Sequence, residues 1–309
     1  MTTFADRLFE LGGVPVGGAP PITGNVWFVD SGAADGADNV GNGYGRSPVK
    51  PFLTLDYAIG QCTASNGDVI YLLPGHAENL AAADTVDCDV AGVTIIGLGR
   101  GSLIPTFSTT AAAGSITVDA ANVTIQNVKL VANFATGTTK GITITANGDG
   151  CTLDGVHFRD TAATSEFLIH IGVATTVSDL WIKNCTFVTA AGGSLTNAIL
   201  FAGTSVDAVI EHCYFYVDSA DSVIDHATGA STNLYIHHCT IVNVDTGGAL
   251  YCIQNKSDGT GVVHDCRLGY NKVDAEVSVG AATWWFENYA TNTIAESGLL
   301  DPATSHAIP

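Results

Sequence analysis

Basic residues are scarce in this chain. Its 309 residues include 11 Lys and Arg against 30 Asp and Glu, which gives a formal net charge of −19. Binding nucleic acid through its phosphates requires clustered cations, so the composition argues against a nucleic-acid partner. The same acidity disfavours a polyanionic substrate such as pectate, and solubility with repulsion between copies explains it without any ligand.

Long apolar runs are also missing. No run approaches the roughly 18 apolar residues that suggest a membrane span, so we expect no membrane partner. The first residues, MTTFADRLFELGGVPVGGAPP, include Asp6 and Glu10 and have no continuous apolar core, so they do not resemble a secretory signal. Charged residues make up 13% of the chain, hydrophobic residues 46%, and 35 residues are Gly, which excludes a disordered chain and fits β-structure with tight corners.

One nine-residue segment recurs six times in the sequence. The central positions of the six copies are separated by 28, 29, 28, 26 and 27 residues. A β-rich repeat of this length predicts a solenoid, in which each coil stacks on the last. The copies are VTIQNVKLV at 123–131, TLDGVHFRD at 152–160, WIKNCTFVT at 181–189, VIEHCYFYV at 209–217, YIHHCTIVN at 235–243 and VVHDCRLGY at 262–270.

Each copy reads as two short strands joined by a corner. Apolar and polar residues alternate with the period of a strand, and the alternation breaks at one position. Residues that tolerate positive φ occupy that position, which predicts a sharp turn of the chain there. These predicted corner residues are Asn127, Gly155, Asn184, His212, His238 and Asp265.

A further strand recurs once per repeat between the corners. With it, each coil holds several short strands around a flattened ring, and neighbouring coils hydrogen-bond in parallel at about 4.8 Å per step. The interior is then filled by ladders of like residues: Ile or Leu, then Val or Cys, then Leu or Phe. The strand cores are SITVD at 115–119, GITIT at 141–145, FLIHI at 167–171, AILF at 198–201, SVID at 222–225, LYCI at 250–253 and EVSVG at 276–280.

This pattern of strands and Asn/Gly corners resembles the right-handed parallel β-helix family, also called pectin-lyase-like. The resemblance covers residues 66–285 and implies an all-β, single-stranded right-handed parallel β-helix solenoid. Residues 23–65 resemble the lead-in of such proteins, with a predicted capping helix, LDYAI, at 55–59. Residues 1–22 would form an N-terminal arm, and residues 286–309 a C-terminal cap or tail.

The cysteine count of eight invites a disulfide or zinc interpretation. Four of the eight, Cys185, Cys213, Cys239 and Cys266, share one ladder position with Val128 and Val156. Cβ atoms on adjacent coils lie about 4.8 Å apart, which is longer than the ~3.8 Å between the Cβ atoms of a disulfide. The sequence also has no C-x₂-C pair of the kind that binds zinc. We predict reduced, buried cysteines that act as small hydrophobic residues.

The outward position before each corner offers a candidate catalytic row. Asp154, Lys183 and Glu211 occupy it on consecutive coils, but glycosidase carboxylates lie about 5–9.5 Å apart and the two acids here are two coils apart. We interpret the row as a surface charge ladder, with a catalytic row as the alternative. The Asp and His signatures of pectate lyases and polygalacturonases are absent from the sequence.

Histidines form a second candidate site. His237 and His264 lie on adjacent coils, with His212 and His238 at neighbouring corners, and such a group can bind a metal. The corner backbone explains His212 and His238 without one, so we predict no metal and no cofactor. The loop DSGAADGADNVGNG at 30–43 lacks the ligand spacing of an EF-hand, although weak Ca²⁺ binding there stays open.

The N-terminal strap ADRLFELGGVPVGG before a small β-helix resembles proteins encoded among phage structural genes. The resemblance implies a non-enzymatic virion protein made in the host cytoplasm, a trimeric capsid decoration (cement) protein bound to the major capsid protein or another virion component. The predicted attachment residues are Phe4, Leu8, Leu11, Val14 and Val16. The exposed aromatic candidates for a trimer contact are Tyr214, Tyr216, Tyr235, Trp284 and Trp285; the alternative is ordinary packing or, for the two Trp, capping of the last coil by residues 281–290.

Two other classes of function stay open. One is a polysaccharide lyase or hydrolase, including a tailspike-like depolymerase. The other is a carbohydrate-binding β-helix without catalysis. An enzyme should carry several acids and a base on one groove, whereas a decoration protein should carry an apolar side patch and a bound arm.

Overall fold

The computed structural model describes residues 23–174, 176–245, 251–270 and 282–290, and five short strand segments at 10–11, 14–15, 277–278, 291–292 and 298–299. Three long sheets run the length of a right-handed parallel β-helix, as the repeat predicted. Each coil contributes one strand to each sheet, so consecutive strands of a sheet are about one repeat apart in the chain. A single continuous apolar core fills the space between the sheets.

Sheet 1 carries the outer surface on which the candidate site lies. Its strands are Val26–Val29, Val69–Leu72, Thr94–Gly97, Thr124–Gln126, Thr152–Asp154, Trp181–Lys183, Val209–Glu211, Leu234–His237, Gly261–His264 and Thr283–Phe286.

Sheet 2 follows sheet 1 across the corners. Its parallel strands are Ala77–Leu80, Thr106–Thr109, Lys129–Ala132, His157–Asp160, Thr186–Val188, Tyr214–Val217, Thr240–Asn243, Arg267–Tyr270 and Tyr289–Asn292, and Gly298–Leu299 pairs antiparallel with the last of them.

Sheet 3 closes the coil, and a small fourth sheet lies between sheets 3 and 1. The strands of sheet 3 are Val86–Cys88, Ile116–Val118, Ile142–Ile144, Ile169–Val173, Asn197–Phe201, Ile224–His226, Ile253–Asn255 and Val277–Ser278, and those of the small sheet are Val177–Ser178, Ser205–Val206 and Ser231–Thr232.

The register of the sheets matches the repeat residue by residue. In sheet 1, Ile125 pairs with Leu153 and the rung continues through Ile182 to Val263. In sheet 2, Phe158, Phe187 and Phe215 stack with ring centroids 5.0 and 4.4 Å apart. These rungs are almost fully buried, so the stability of each coil depends on its neighbours.

The corner residues adopt the predicted backbone conformation. All six have φ between 52° and 65°, the left-handed region that Gly, Asn, Asp and His tolerate. The next coil adds Glu287 at the same place, with φ 54°. This conformation sets the side chains on either side of the corner, because it ends one sheet and begins the next.

Three strands of sheet 3 begin two or three residues later than predicted. The strand predicted at 167–171 is Ile169–Val173, the one at 222–225 is Ile224–His226, and the one at 250–253 is Ile253–Asn255. In the first case Phe167 is fully buried and lies before the strand, where an isolated bridge joins it to Thr138. Its ring packs edge-on against Phe158, so it fills the core at the bend before the strand starts.

The capping helix, α1, is present at Leu55–Ile59, where the sequence predicted it. It buries Leu55, Ala58 and Ile59 in the main core at the open end of the first coil. Strand Val26–Val29 of the lead-in pairs in parallel with Val69–Leu72, so sheet 1 begins within residues 23–65. Short 3₁₀ turns occur at Gly41–Gly43 and Gly101–Leu103. No helix in the described ranges has the length and apolar character needed to cross a membrane.

The predicted attachment residues of the arm fall mainly outside the described residues. Phe4, Leu8 and Val16 lie outside them. The backbone of Leu11 pairs with that of Val14 in a hairpin of two antiparallel strands, Glu10–Leu11 and Val14–Pro15. The role of these residues in attachment stays a prediction.

The cysteine ladder occupies the core as predicted. Cys185, Cys213, Cys239 and Cys266 are buried free thiols on the rung shared with Val128 and Val156. Each Sγ lies 3.2–3.3 Å from the carbonyl oxygen two residues before it, so the thiol donates to its own strand end. Burial raises the pKa of Cys213, which keeps that thiol protonated.

Candidate functional site

The candidate site is the outer surface of sheet 1 from strand Thr124–Gln126 to strand Thr283–Phe286, which we call the polar face. Two outward residues per strand line up across it. The row next to the corners is Gln126, Asp154, Lys183, Glu211, His237, His264 and Phe286. The other row is Thr124, Thr152, Trp181, Val209, Tyr235, Val262 and Trp284.

The predicted charge ladder is present on the polar face, with one change of partners. Asp154, Lys183 and Glu211 lie on adjacent strands, and the Lys183 ammonium is 3.9 Å from Asp154. The same ammonium lies 3.8 Å from the centre of the Trp181 ring, a cation–π contact. Lys183 and Glu211, both described, form no ion pair. Glu211 instead accepts a hydrogen bond from the Trp181 indole at 2.8 Å and lies 3.3 Å from His237 Nε2.

Both acids of the ladder are held by neighbouring side chains. Asp154 accepts a hydrogen bond from Asn184 at 2.8 Å and a longer one from Gln126 at 3.4 Å, besides its contact with Lys183. Neither acid lies next to a second carboxylate, because Lys183 separates them in the row. The row therefore has the contacts of a charge ladder.

The histidine cluster adjoins the charge ladder, at the corner after Glu211 and on the next two strands of the polar face. It comprises His212, His237, His238 and His264. The His237 and His264 rings stack at 5.2 Å, the His212 and His238 rings stack at 4.9 Å, and Nδ1 of His237 is 2.8 Å from Nδ1 of His238. His264 also contacts Tyr235 Oη at 2.8 Å through Nε2 and Asp265 Oδ2 at 2.7 Å through Nδ1.

The backbone and the sheet register together form this cluster. His212 and His238 are at successive corners, each with positive φ, while His237 and His264 are on paired strands. Partial burial lowers the pKa of His237, Glu211 acts against that shift, and His264 and His238 add to it. One ring nitrogen from each of His212, His237 and His238 lies within 4.8 Å of the other two. Three imidazoles in this arrangement can hold a metal ion.

A shallow groove of about 580 Å³ crosses the polar face beside the histidine cluster. Tyr235 and Trp284 form its aromatic walls, and Trp284 is 66% exposed. Asp207, Asn233 and Thr260 add polar groups at its edge. Exposed aromatic rings beside amide, hydroxyl and carboxylate groups can stack on and hydrogen-bond an amphipathic ligand.

The predicted trimer contacts divide between two surfaces. Tyr214 and Tyr216 are exposed on sheet 2, whereas Tyr235 and Trp284 lie on the polar face. Trp285 differs from the prediction: it follows Val263 on an inward rung and packs against the core. The alternation of the strand explains the difference, since adjacent residues point to opposite faces.

Two acids at one loop, the half-buried Asp160 and the buried Glu166, are not among the predicted site residues. Asp160 and Glu166 flank the loop that leads from sheet 2 to sheet 3, and burial raises the pKa of Asp160 to about 7, against the effect of its hydrogen bonds from the Phe167 and Ala190 amides. Glu166 accepts a hydrogen bond from the Ser194 amide. Backbone donors on adjacent loops hold both acids, so their role is to fix these loops. No motif in the sequence marks them.

Two of the three acids of the loop at 30–43, Asp30 and Asp38, accept hydrogen bonds from the protein itself. Asp38 accepts hydrogen bonds from the amides of Leu53 and Thr54 at 2.7 and 3.2 Å and from the Thr54 hydroxyl at 2.9 Å. Asp30 accepts one from the amide of Gly32. These contacts tie the loop to the start of α1.

Comparison with solved structures identifies the fold. The chain is similar to pectin methylesterase PemA from Erwinia chrysanthemi, with a TM-score of 0.50, 12% sequence identity, and coverage of 91% of this chain and 92% of that chain. A pectin methylesterase in complex with a hexasaccharide gives a TM-score of 0.48 at 13% identity, covering 91% and 92%. A GH136 lacto-N-biosidase from Eubacterium ramulus gives 0.39 at 10% identity, covering 86% and 67%.

No protein-family model matches the chain, and no curated protein matches it. At such low identity, the structural similarity shows the fold alone. The chain is thus a parallel β-solenoid with the pectin-lyase-like β-helix fold that pectin methylesterase also has. Its activity has to be argued from its own residues.

Proposed function

We propose that this chain is a non-enzymatic virion structural protein, a capsid decoration protein held through its N-terminal arm. The observation that supports a non-enzymatic role is the engagement of the acids on the polar face. Glu211 is bound by Trp181 and His237, and Asp154 by Asn184 and Lys183. A glycosidase needs two acids that flank one sugar linkage, with one of them able to give up a proton. Here Lys183 stands between the two acids in the row, and neighbouring side chains hold both of them.

The arm supplies the attachment in this proposal. Residues 1–22 precede the first strand of sheet 1 and carry Phe4, Leu8, Leu11, Val14 and Val16 among Gly and Pro. An extended segment can add backbone hydrogen bonds and apolar side chains to a partner surface. Ordering it costs on the order of 1–2 kcal/mol per residue, so several arms acting together would hold the protein best. A homotrimer on the major capsid protein or another virion component meets this need.

The trimer contact would lie on sheet 2. Tyr214 and Tyr216 are both 44% exposed there and alternate with the buried residues of their strand. Aromatic side chains of this kind are enriched in protein interfaces. Sedimentation equilibrium of the full chain tests this part: the proposal expects three copies per particle and a Tyr216→Ser variant of lower mass.

Deletion of residues 1–22 tests the attachment. The deleted protein should keep the far-UV circular dichroism of the full chain, because the described coils begin after the arm. It should no longer associate with purified virions of the phage that encodes the chain. Glu211→Gln in the full chain is the matched control and should bind virions as the unaltered protein does. Undiminished binding by the deleted protein would place the attachment on the solenoid, and absence of the full chain from the virions would end the proposal.

A second candidate, carbohydrate binding without catalysis, is favoured by the groove on the polar face. The exposed rings of Tyr235 and Trp284 offer stacking surfaces with Asn233 and Thr260 beside them. Glycan-array binding by the full chain tests it, with Trp284→Ala expected to lose binding and Tyr216→Ala, on sheet 2, expected to keep it. Release of unsaturated or newly reducing products from a bound polysaccharide would instead favour the lyase or hydrolase class.

A further inference from the structure

The strongest unassigned feature is the convergence of ring nitrogens in the histidine cluster. His212, His237 and His238 each place one nitrogen within 4.8 Å of the other two. Two of these residues are at corners of adjacent coils and the third is on the strand that enters one of those corners. The corner conformation explains why His is tolerated at 212 and 238. It does not explain why one nitrogen of each of the three rings lies within 4.8 Å of the other two.

We propose that His212, His237 and His238 bind one divalent transition-metal ion, which links two adjacent coils at the edge of the polar face. The Nδ1 atoms of His237 and His238 are 2.8 Å apart. Two imidazole nitrogens on one zinc ion lie about 3.3 Å apart when each bond is about 2.0–2.1 Å. A small movement of either ring opens that distance, and rotation of the exposed His212 side chain brings in the third nitrogen.

The outer contacts of the cluster support this choice of ligand atoms. Glu211 Oε2 is 3.3 Å from His237 Nε2, and Asp265 Oδ2 is 4.0 Å from His238 Nε2. In both rings the nitrogen opposite the proposed ligand atom thus faces a carboxylate. Metal-bound histidines usually direct their second nitrogen to a carboxylate, which fixes the tautomer and the ring orientation.

With these contacts, the Nδ1 atoms of His237 and His238 face each other and can share a cation. When His237 donates its Nε2 proton to Glu211, its Nδ1 carries a bare lone pair directed at Nδ1 of His238. A proton on His238 Nδ1 satisfies that lone pair, and a metal ion satisfies both lone pairs at once.

The ligand set selects the class of ion. Neutral imidazole suits Zn²⁺, Cu²⁺, Ni²⁺ and Co²⁺, whereas Ca²⁺ and Mg²⁺ prefer oxygen ligands. Three protein ligands leave at least one position on the ion for water or another donor, because His212 and His238 are exposed. The proposal goes beyond the proposed function and does not depend on it.

Titration calorimetry of the full chain, stripped with a chelator and dialysed, tests the site with ZnCl₂. We expect one zinc ion per chain, visible d–d absorption when CoCl₂ replaces ZnCl₂, and no competition from CaCl₂ for this site. His212→Asn and His238→Asn should each abolish most of the Zn²⁺ affinity. Asn is the right replacement because Asn127 and Asn184 occupy the same corner in other coils, with φ of 53° and 55°.

Two further variants make the test specific. Glu211→Gln should weaken Zn²⁺ binding about 10–100-fold while leaving the three histidines in place. His157→Gln, a histidine on sheet 2 outside the cluster, should leave the affinity unchanged. Circular dichroism of each variant checks that it is folded. No Zn²⁺ binding by the unaltered chain would overturn the proposal, as would unchanged binding in His212→Asn and His238→Asn or a loss in His157→Gln.

Discussion

The two ends of one outward row of sheet 1 differ sharply. At the amino-terminal end the row consists of Phe28, Tyr71 and Ile96, all buried in a small apolar cluster outside the main core. At the other end the same row carries Glu211 and His237, with their partners on the polar face. The backbone pairing is parallel at both ends. The coil therefore buries inward side chains, and most of these are apolar. An outward side chain is buried or exposed according to whether that part of the surface is covered.

This difference has a consequence for function. A covered outward row adds to the stability of the coil, as the main core does. Side chains of an uncovered row do not have to pack in an apolar core. They can be charged or titratable, as the Asp154–Lys183 pair and the histidine cluster are. The uncovered charged and titratable groups of sheet 1 thus lie on its strands from Thr152–Asp154 onward.

The largest loss of stability is expected when an inward side chain is truncated. Phe187→Ala should lower the free energy of unfolding by about 3–5 kcal/mol, because the ring stacks between Phe158 and Phe215 and no water can fill the space. Thr186→Ala, the adjacent outward residue, should cost below about 0.5 kcal/mol. Urea unfolding followed by circular dichroism measures both. Equal costs would show that the register is wrong by one residue.

Substitutions at equivalent outward positions should lower the free energy of unfolding by different amounts at the two ends of the row. Tyr71→Ala should cost about 3 kcal/mol, since Tyr71 is 3% exposed and stacks on Phe28 at 5.8 Å. Glu211→Gln, on the same row, should cost about 1 kcal/mol or less, because its partners are close to solvent. The midpoints of urea unfolding decide between them. A cost for Glu211→Gln as large as that for Tyr71→Ala would remove the distinction between the two ends.

A buried histidine makes a prediction about pH. His170 is fully buried among Phe158, Phe167 and Phe187, and neither of its ring nitrogens has a hydrogen-bond partner. Burial lowers the pKa of His170 to about 3, whereas the unfolded residue titrates near 6.5. The unfolded state therefore binds the extra proton between these values. The contribution of the neutral ring to stability is complete above about pH 6.5 and declines as the pH falls toward 3.

His170→Leu should remove the unpaired nitrogens and, with them, the part of the pH dependence of stability that His170 causes. We expect the variant to be about 1–3 kcal/mol more stable at pH 7, with a flatter dependence of unfolding free energy on pH between 6.5 and 3. His157→Leu, on the outside of sheet 2, is the control and should show neither effect at that size. Urea unfolding at several pH values gives both quantities. A steeper slope for His170→Leu would mean that the ring is charged in the folded protein.

The smallest effect is expected on the cysteine ladder. Cys213→Val should change the unfolding free energy by less than about 1.5 kcal/mol, because Val128 and Val156 fill the same rung in other coils. Thiol titration of the native protein should find Cys213 unreactive, and titration after denaturation should find all eight thiols. A Cys213–Cys239 disulfide in mapped peptides would contradict the assignment of the ladder to the core.

The sequence by itself determined the coil. Spacing of 26 to 29 residues, period-two alternation and corner residues at Asn127, Asn184 and His212 predicted the inward rungs, the positive φ values and the helix at Leu55–Ile59. These features are local or recur at a fixed period, because parallel stacking places each residue beside its counterpart one repeat away. The same register brought Asp154, Lys183 and Glu211 into one row.

Only the tertiary structure decided what the outward side chains contact. The pairing of Glu211 with Trp181 and His237 and the approach of His237 Nδ1 to His238 Nδ1 depend on side-chain rotamers and on the shape of adjacent corners. The burial of Tyr71 and the unpaired ring of His170 depend on which groups cover them. The repeat places each residue in its row on the coil. Which partner a polar side chain then contacts depends on the neighbouring side chains of the folded surface.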